Sequence, residues 1–234
     1  MQPFHTILFD LDDTLIHFDD YWNDSLLATL SRHSCTKDLE QRQLFDIFME
    51  MNGRFEAQYD RQQISLREFR NLRLIHALDK YDRPIEMDTA DDFNKMLMDI
   101  SREYMKASPE LVRFLTQLSE RYTLGIVTNG TRSWQLEKIE ALGLRPLFAD
   151  EAIIVSEDVG CEKPSPELYA YALARFRAEP RQVLFVGDSW KNDVEGPIRC
   201  GMNAVWLNRK GAAVPGEPKP LGIVNDLFEL TRYL

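Results

Sequence analysis

The sequence predicts an α/β fold: a doubly wound parallel sheet with an inserted all-helical block. Three observations predict it. Short apolar runs recur at residues 6–9, 123–127, 152–155, 182–186 and 204–207, with a shorter candidate at 222–224. Continuous rather than alternating runs suit strands covered on both faces. Helical patterns separate the later runs, and strand–helix alternation winds such a sheet. Residues 18–101 carry helical stripes and no strand run.

The elements follow in order. Thr6-Ile7-Leu8-Phe9 is an apolar run that stops abruptly at Asp10, as a buried central strand does where it reaches the sheet edge. Four stripes at helical spacing come next: Leu26, Leu27 and Leu30; Leu44, Phe45, Phe48, Met49 and Phe55; Phe69, Leu72, Ile75 and Leu78; Phe93, Met96, Leu97 and Ile100. This block reads as a helical cap at 18–101, between core segments 1–17 and 102–234. The alternative is a helical extension packed permanently on the core. Ser108-Pro109-Glu110 opens the next helix, with Ser at the N-cap and Pro at the first position. Residues 133–142 form another, closed by Gly143. Ser165-Pro166-Glu167 opens a third, with Leu168, Tyr169, Ala172 and Phe176 on its inner side. Residues 210–222 are a Pro/Gly-rich surface loop.

Composition narrows the function classes. The 234 residues are 44% hydrophobic and 28% charged, enough for a sizeable core, and the net charge is −10. That balance argues against a nucleic-acid surface and against anionic membranes, which need clustered Lys and Arg. No apolar run reaches the ~20 residues of a membrane helix, and the N-terminus lacks a leader pattern. Cys35, Cys161 and Cys200 are odd in number and far apart, so reduced thiols and a cytoplasmic setting are expected. A monomer or small homo-oligomer fits equally well.

Four polar clusters end these strands or open these helices: Asp10-Leu11-Asp12-Asp13-Thr14, Val127-Thr128-Asn129-Gly130, Lys163-Pro164, and Gly187-Asp188-Ser189-Trp190-Lys191-Asn192-Asp193. In open α/β sheets, ligands bind at the carboxyl ends of the strands. Asp10, Asp12, Asp188 and Asp193 would repel one another there unless a cation compensated them. A set of oxygen donors without His or Cys suits Mg²⁺. A strand-end carboxylate can attack phosphorus, and a second acid two residues on can pass a proton to the leaving oxygen and take one from water. Thr128 and amides near the following helix start can hold phosphate oxygens. Lys163 can neutralise charge on a transferring phosphoryl group. Each cluster also has a plain reading taken singly: a solvated turn, a tight turn, a solvated lysine, a helix-start acid.

In this order the set DLDDT, TNG, KPSP and GDSWKND resembles the haloacid dehalogenase superfamily of phosphohydrolases, over essentially the whole chain. Ile154-Val155-Ser156-Glu157-Asp158-Val159-Gly160 leading to Lys163-Pro164 is similar to its pyrimidine 5′-nucleotidase branch. The resemblance implies a HAD-like core with a helical cap. It implies Asp10 as nucleophile and metal ligand, and Asp12 as general acid/base that lends its carbonyl to Mg²⁺. Thr128 and Asn129 would hold the phosphoryl group, Lys163 would bridge nucleophile and phosphate, Asp188 would ligate the metal, and Asp193 would support it. Dehalogenases of this fold lack an acid at the position of Asp12, so a phosphatase is expected. Many relatives carry Gly where this chain has Asp13, which disfavours the phosphoglycolate phosphatase signature.

The expected partner is a small phosphorylated metabolite, with a nucleoside 5′-monophosphate favoured over a sugar phosphate. A phosphomutase and a catalytically silent binding module are the rivals from other classes. Phe18, Tyr21 and Trp22 would either stack a base or pack the hinge. Arg54, Arg67 and Arg70 would be substrate contacts or plain surface charges.

Overall fold

The computed structural model describes residues 4–106 and 108–234. Met1, Gln2 and Pro3, part of the stretch read for a leader, lie outside the described residues. The chain forms two compact units, Met1–Phe18 with Lys106–Leu234, and Asp19–Met105.

The first unit holds a six-stranded sheet in the order β3-β2-β1-β4-β5-β6. The strands are β1 (Thr6–Phe9), β2 (Thr123–Thr128), β3 (Ile153–Val155), β4 (Val183–Gly187), β5 (Asn203–Leu207) and β6 (Gly222–Val224). All pairings are parallel. The chain steps outward from β1 to β3, then returns to place β4 on the other side of β1. This order puts the switch point between β1 and β4, where ligands bind in doubly wound sheets. β1 is buried along its whole length, as its uninterrupted apolar run requires. Leu8, Val127, Ile154 and Phe185 pack with Leu168, Tyr169 and Ala172 of a covering helix.

The strand bounds differ slightly from those read in the sequence. β2 runs one residue further, so Thr128 is its last residue. β3 starts at Ile153 because Asp150–Ala152 makes a short 3₁₀ turn first. Among the helices of this unit, α5 (Pro109–Ser119) starts as read, the Ser108 hydroxyl accepting from the Leu111 N–H at 3.2 Å. α6 covers Arg132–Ala141, α7 Ser156–Val159, α8 Pro166–Phe176 and α9 Gly196–Arg199. Ser165 stands at the N-cap of α8, yet its hydroxyl donates to Glu167 instead of capping.

The second unit contains α1 (Trp22–Arg32), α2 (Gln41–Asp60), α3 (Leu66–Asp79) and α4 (Met87–Tyr104). The buried faces of α1, α2 and α4 keep most of each predicted stripe (Leu26 and Leu30; Leu44, Phe48 and Phe55; Phe93, Leu97 and Ile100), although Leu27, Phe45, Met49 and Met96 are only half-buried. α3 does not. Its interior residues are Asn71, Arg73, Leu74, Ala77 and Leu78, while Phe69, Leu72 and Ile75 are half-buried. A polar network rotates this face inward: Asn94 donates to Asn71 at 2.8 Å, Asn71 donates to Asp91 at 2.6 Å, and Arg73 donates to Asn52 at 2.7 Å. Buried polar groups are retained when they are hydrogen-bonded. The Arg73 guanidinium also lies 4.9 Å from the Trp22 ring centroid and 5.1 Å from that of Phe48.

Candidate active site

The strand register brings the acidic clusters together. Phe9 is level with Val186 of β4 and with Ile126 of β2, so Asp10 leaves the sheet beside Gly187 and next to the end of β2. The Asp10 N–H extends the ladder by donating to the Val186 carbonyl at 2.9 Å. Two residues on, Asp12 makes an isolated parallel bridge with Ile16, and Asp13 between them has φ +54°. That left-handed position favours glycine but tolerates aspartate. The Asp13 carboxylate closes the turn, accepting from the Phe18 N–H at 2.9 Å and from Lys210 at 3.2 Å.

Lys163 anchors the centre. Its ammonium donates to Asp10 Oδ1 and to Asp193 Oδ1, each at 2.7 Å. The lysine side chain is 2% exposed and the Asp193 side chain fully buried. Gly187 makes room for this, because a Cβ there would overlap the Asp193 carboxyl group. Asp193 Oδ2 in turn accepts from the Ser189 N–H at 2.9 Å, inside a π-helical turn over Trp190–Glu195. Asp188 follows β4 directly, its carbonyl held by the Trp206 indole at 2.7 Å.

One carboxylate oxygen from each of Asp10, Asp188 and Asp193 lies within 4.8 Å of the other two. One lysine does not balance this charge. Burial pushes the Asp10 carboxyl well above the ordinary carboxylate range; Lys163 opposes the rise, and Asp193 adds to it. Burial lifts Asp188 to about 7, with Asp193 and Asp13 adding and Lys163 opposing. For Lys163 burial favours the neutral form, but the attraction of Asp10 and Asp193 outweighs it and keeps the ammonium charged. A site with more buried carboxylates than cations, all of them hard oxygen donors, suits a divalent cation such as Mg²⁺.

The second cluster is built differently from the sequence expectation. Asn129 uses its side chain to brace the Lys163 main chain: Oδ1 accepts from the Lys163 N–H at 2.7 Å, and Nδ2 donates to the Lys163 carbonyl at 3.0 Å. Two amides ahead of α6 are committed elsewhere. The Gly130 N–H donates to the Ser156 hydroxyl at 3.0 Å, and the Arg132 N–H donates to Glu157 at 2.8 Å. Amides expected to meet phosphate therefore partly serve to dock α6 on α7.

Sequence reasoning missed two residues of α6. Lys138 donates to Asp12 Oδ1 at 2.5 Å, and Gln135 Nε2 lies 3.0 Å from Asp12 Oδ2. The same amide nitrogen reaches Thr128 Oγ1 at 3.0 Å and the Asn129 carbonyl at 2.6 Å. The only available signal was two polar residues three apart on a helix, a pattern that normally marks a solvated face.

The family model of the haloacid dehalogenase-like hydrolases matches residues 4–201. The chain belongs to this family. A glyceraldehyde 3-phosphate phosphatase of Methanopyrus kandleri is 30% identical over 97% of this chain and 92% of its own length. Pyrimidine 5′-nucleotidase YjjG of Escherichia coli is 28% identical over 97% of this chain and 96% of its own. The HAD-hydrolase YfnB of Bacillus subtilis, solved bound to magnesium and described as showing interdomain movement, shares the fold with a TM-score of 0.85. It is 24% identical, and the match covers 99% of this chain and 98% of that one. The protein is thus an enzyme, a HAD-like phosphatase. Among the described residues no helix is long and apolar enough to cross a membrane.

Of the remaining sequence candidates, Tyr21 and Trp22 are buried, with Trp22 under the Arg73 guanidinium. Arg67 forms an ion pair with Asp91 at 2.5 Å. Arg54 lies over the Phe55 ring, 5.6 Å from its centroid.

Proposed function

We propose that this enzyme is a Mg²⁺-dependent phosphomonoester hydrolase that works through an aspartyl-phosphate, with nucleoside 5′-monophosphates as its main substrates. The observation that carries the chemistry is the buried Asp10–Lys163 contact, with Asp12 two residues away on an open edge. The Asp12 side chain is 42% exposed, whereas that of Asp10 is 10% exposed. One acid is held and screened from water while the other can exchange protons, the division of labour that nucleophile and acid/base require.

A carboxylate oxygen of Asp10 forms a bond to phosphorus, and the ester P–O bond breaks. Asp12 gives its proton to the departing alkoxide. A water molecule then loses a proton to Asp12 as its oxygen bonds phosphorus, and Asp10 is released with inorganic phosphate. Lys163 screens negative charge between Asp10 and the phosphoryl oxygens. Thr128 Oγ1 and the Asn129 N–H hold the other oxygens. The carboxylates of Asp10 and Asp188 and the Asp12 carbonyl would hold Mg²⁺, with Asp193 behind them bracing Lys163 and the Ser189 N–H. Bound there, the ion supplies charge neutralisation for the phosphoryl group.

The near full-length similarity to a pyrimidine 5′-nucleotidase favours nucleoside monophosphates. Similarity of the same extent to a glyceraldehyde 3-phosphate phosphatase supports the second reading, a small sugar phosphate. Phosphate release from UMP, dTMP and AMP beside triose, pentose and hexose phosphates, with and without Mg²⁺, separates them. A kcat/KM for nucleotides at least tenfold above that for every sugar phosphate is expected. The reverse order would replace the nucleotide reading, and metal-independent turnover would overturn the mechanism.

A further inference from the structure

We propose that Gln135 and Lys138, one turn apart on α6, are the positioning residues of Asp12, fixing both of its carboxylate oxygens toward the leaving group. The inference rests on the acid/base reading of Asp12 and adds to it what sets that residue's aim.

Lys138 is a buried lysine, 4% exposed. Lysines at such depth need a counter-charge, and Asp12 supplies it at 2.5 Å. The ammonium also lies 5.5 Å from the centroid of the buried Trp134 ring, which restricts it further. Gln135, 2% exposed, approaches the other oxygen of the same carboxylate. The orientation of its amide follows from chemistry: the Asn129 carbonyl can only accept, so the nitrogen must face it. Gln135 Oε1 is left buried with no hydrogen-bond partner, so the bonds at the nitrogen set this side chain's place. Space is tight as well, since a Cβ on Gly130 would stand 3.0 Å from Gln135 Nε2.

With one bond on each oxygen, the Asp12 carboxylate cannot rotate freely. Each oxygen keeps a second lone pair, so proton exchange remains open on the exposed side. The two protons of the Gln135 amide, shared among Asp12, the Asn129 carbonyl and Thr128 Oγ1, couple the acid/base to the phosphate-holding turn. α6 is itself docked through Ser156 and Glu157, so the aim of Asp12 is inherited from a helix contact far along the chain. During turnover Asp12 gives its proton to the alkoxide and regains one from water, while Lys138 and Gln135 keep theirs.

The test compares the Mg²⁺-loaded parent with Lys138→Met, Lys138→Arg and Gln135→Leu on two substrates. One is 4-nitrophenyl phosphate, whose leaving group departs without a proton; the other is an alkyl phosphate, whose alkoxide needs one. Lys138→Met is expected to lower the single-turnover rate of phosphoryl transfer to Asp10 about 100-fold for the alkyl ester and less than tenfold for the aryl ester, within the range of lost acid–base catalysis, hydrolysis of the aspartyl-phosphate being common to both. KM and the Mg²⁺ half-saturation stay within about twofold, Lys138→Arg recovers most of the rate, and Gln135→Leu gives the same pattern at about tenfold. Equal losses on both esters, a change confined to KM, or parental activity in Lys138→Met would overturn the inference. If a melting curve shows that Lys138→Met is unfolded, the arginine and leucine variants decide by the same criteria. Asp12→Asn is measured alongside. If it is not leaving-group selective, the acid/base reading itself has failed. If it is selective and the α6 variants are not, only the positioning role is lost.

Discussion

Lys163 and Asp193 meet at 2.7 Å with both side chains shut off from solvent. The same ammonium reaches Asp10 at the same distance, so one cation holds two carboxylates, one from the end of β1 and one from the turn after β4. Breaking a buried pair by removing one partner leaves charge with neither water nor counter-ion. Lys163→Met is therefore expected to destabilise the metal-free protein by about 3–5 kcal/mol, with part regained on adding Mg²⁺. Urea denaturation with and without the ion measures this. A loss below about 1 kcal/mol would show that the carboxylates do not depend on the lysine.

Asp10→Asn keeps the shape and removes the attacking oxygen. Turnover of 4-nitrophenyl phosphate should fall by at least about 10³-fold while the circular dichroism spectrum stays unchanged. Trapping of phosphate on the protein, seen in the parent by rapid quench and mass measurement, should vanish. Substantial activity in a folded variant would take Asp10 out of the nucleophile's role.

The acidic cluster makes a pH prediction of definite sign. Asp188 sits at about 7 in the folded protein, above the ordinary 3.8, so the folded state binds its proton more tightly than the unfolded state does. That stabilisation is complete below about pH 4 and is lost as pH rises through 7. The cost is on the order of 2–4 kcal/mol after solvent screening. Metal-free protein should melt several degrees lower at pH 8 than at pH 5.5, and Mg²⁺ should raise Tm more at pH 8. Asp188→Asn should flatten this slope. An unaltered slope in that variant would assign the effect to other groups.

Gly187→Ala forces a methyl group into the Asp193 carboxyl group. The expected result is a stability loss of about 1–3 kcal/mol from overpacking and a weaker response to Mg²⁺. Gly53→Ala makes a useful contrast. Gly53 lies within α2 and a Cβ there meets nothing within 4 Å, so it should stabilise the protein by about 0.5–1 kcal/mol. Thermal melts of the two variants in parallel decide; a neutral Gly187→Ala would mean that Asp193 has room to move.

The strands β1 to β5 were legible because each is a short apolar run closed by a turn or an acid, and burial on both faces leaves no alternation to misread; β6, with Ile223 exposed, gave only a candidate. The acids and the lysine were legible because each stands directly beside a strand end or helix start. α3 was not read correctly. Asn71 and Arg73 face inward, and in a single helix nothing separates an inward polar residue with a partner from an outward one without. Gln135 and Lys138 were missed for the same reason. The use of Asn129 as a brace for Lys163 was equally hidden, since its partner lies 34 residues away.

By itself the sequence determined that at least five apolar strands form an α/β sheet, that a helical block interrupts it after the first, and that acids crowd the strand ends. These are matters of local hydrophobicity and covalent neighbourhood. The tertiary structure alone decided which carboxylate meets which cation. Lys163 takes Asp10 and Asp193, and Asp12 takes a lysine 126 residues along the chain. Such pairings depend on strand register and helix packing to within an ångström or so, and no local pattern records them.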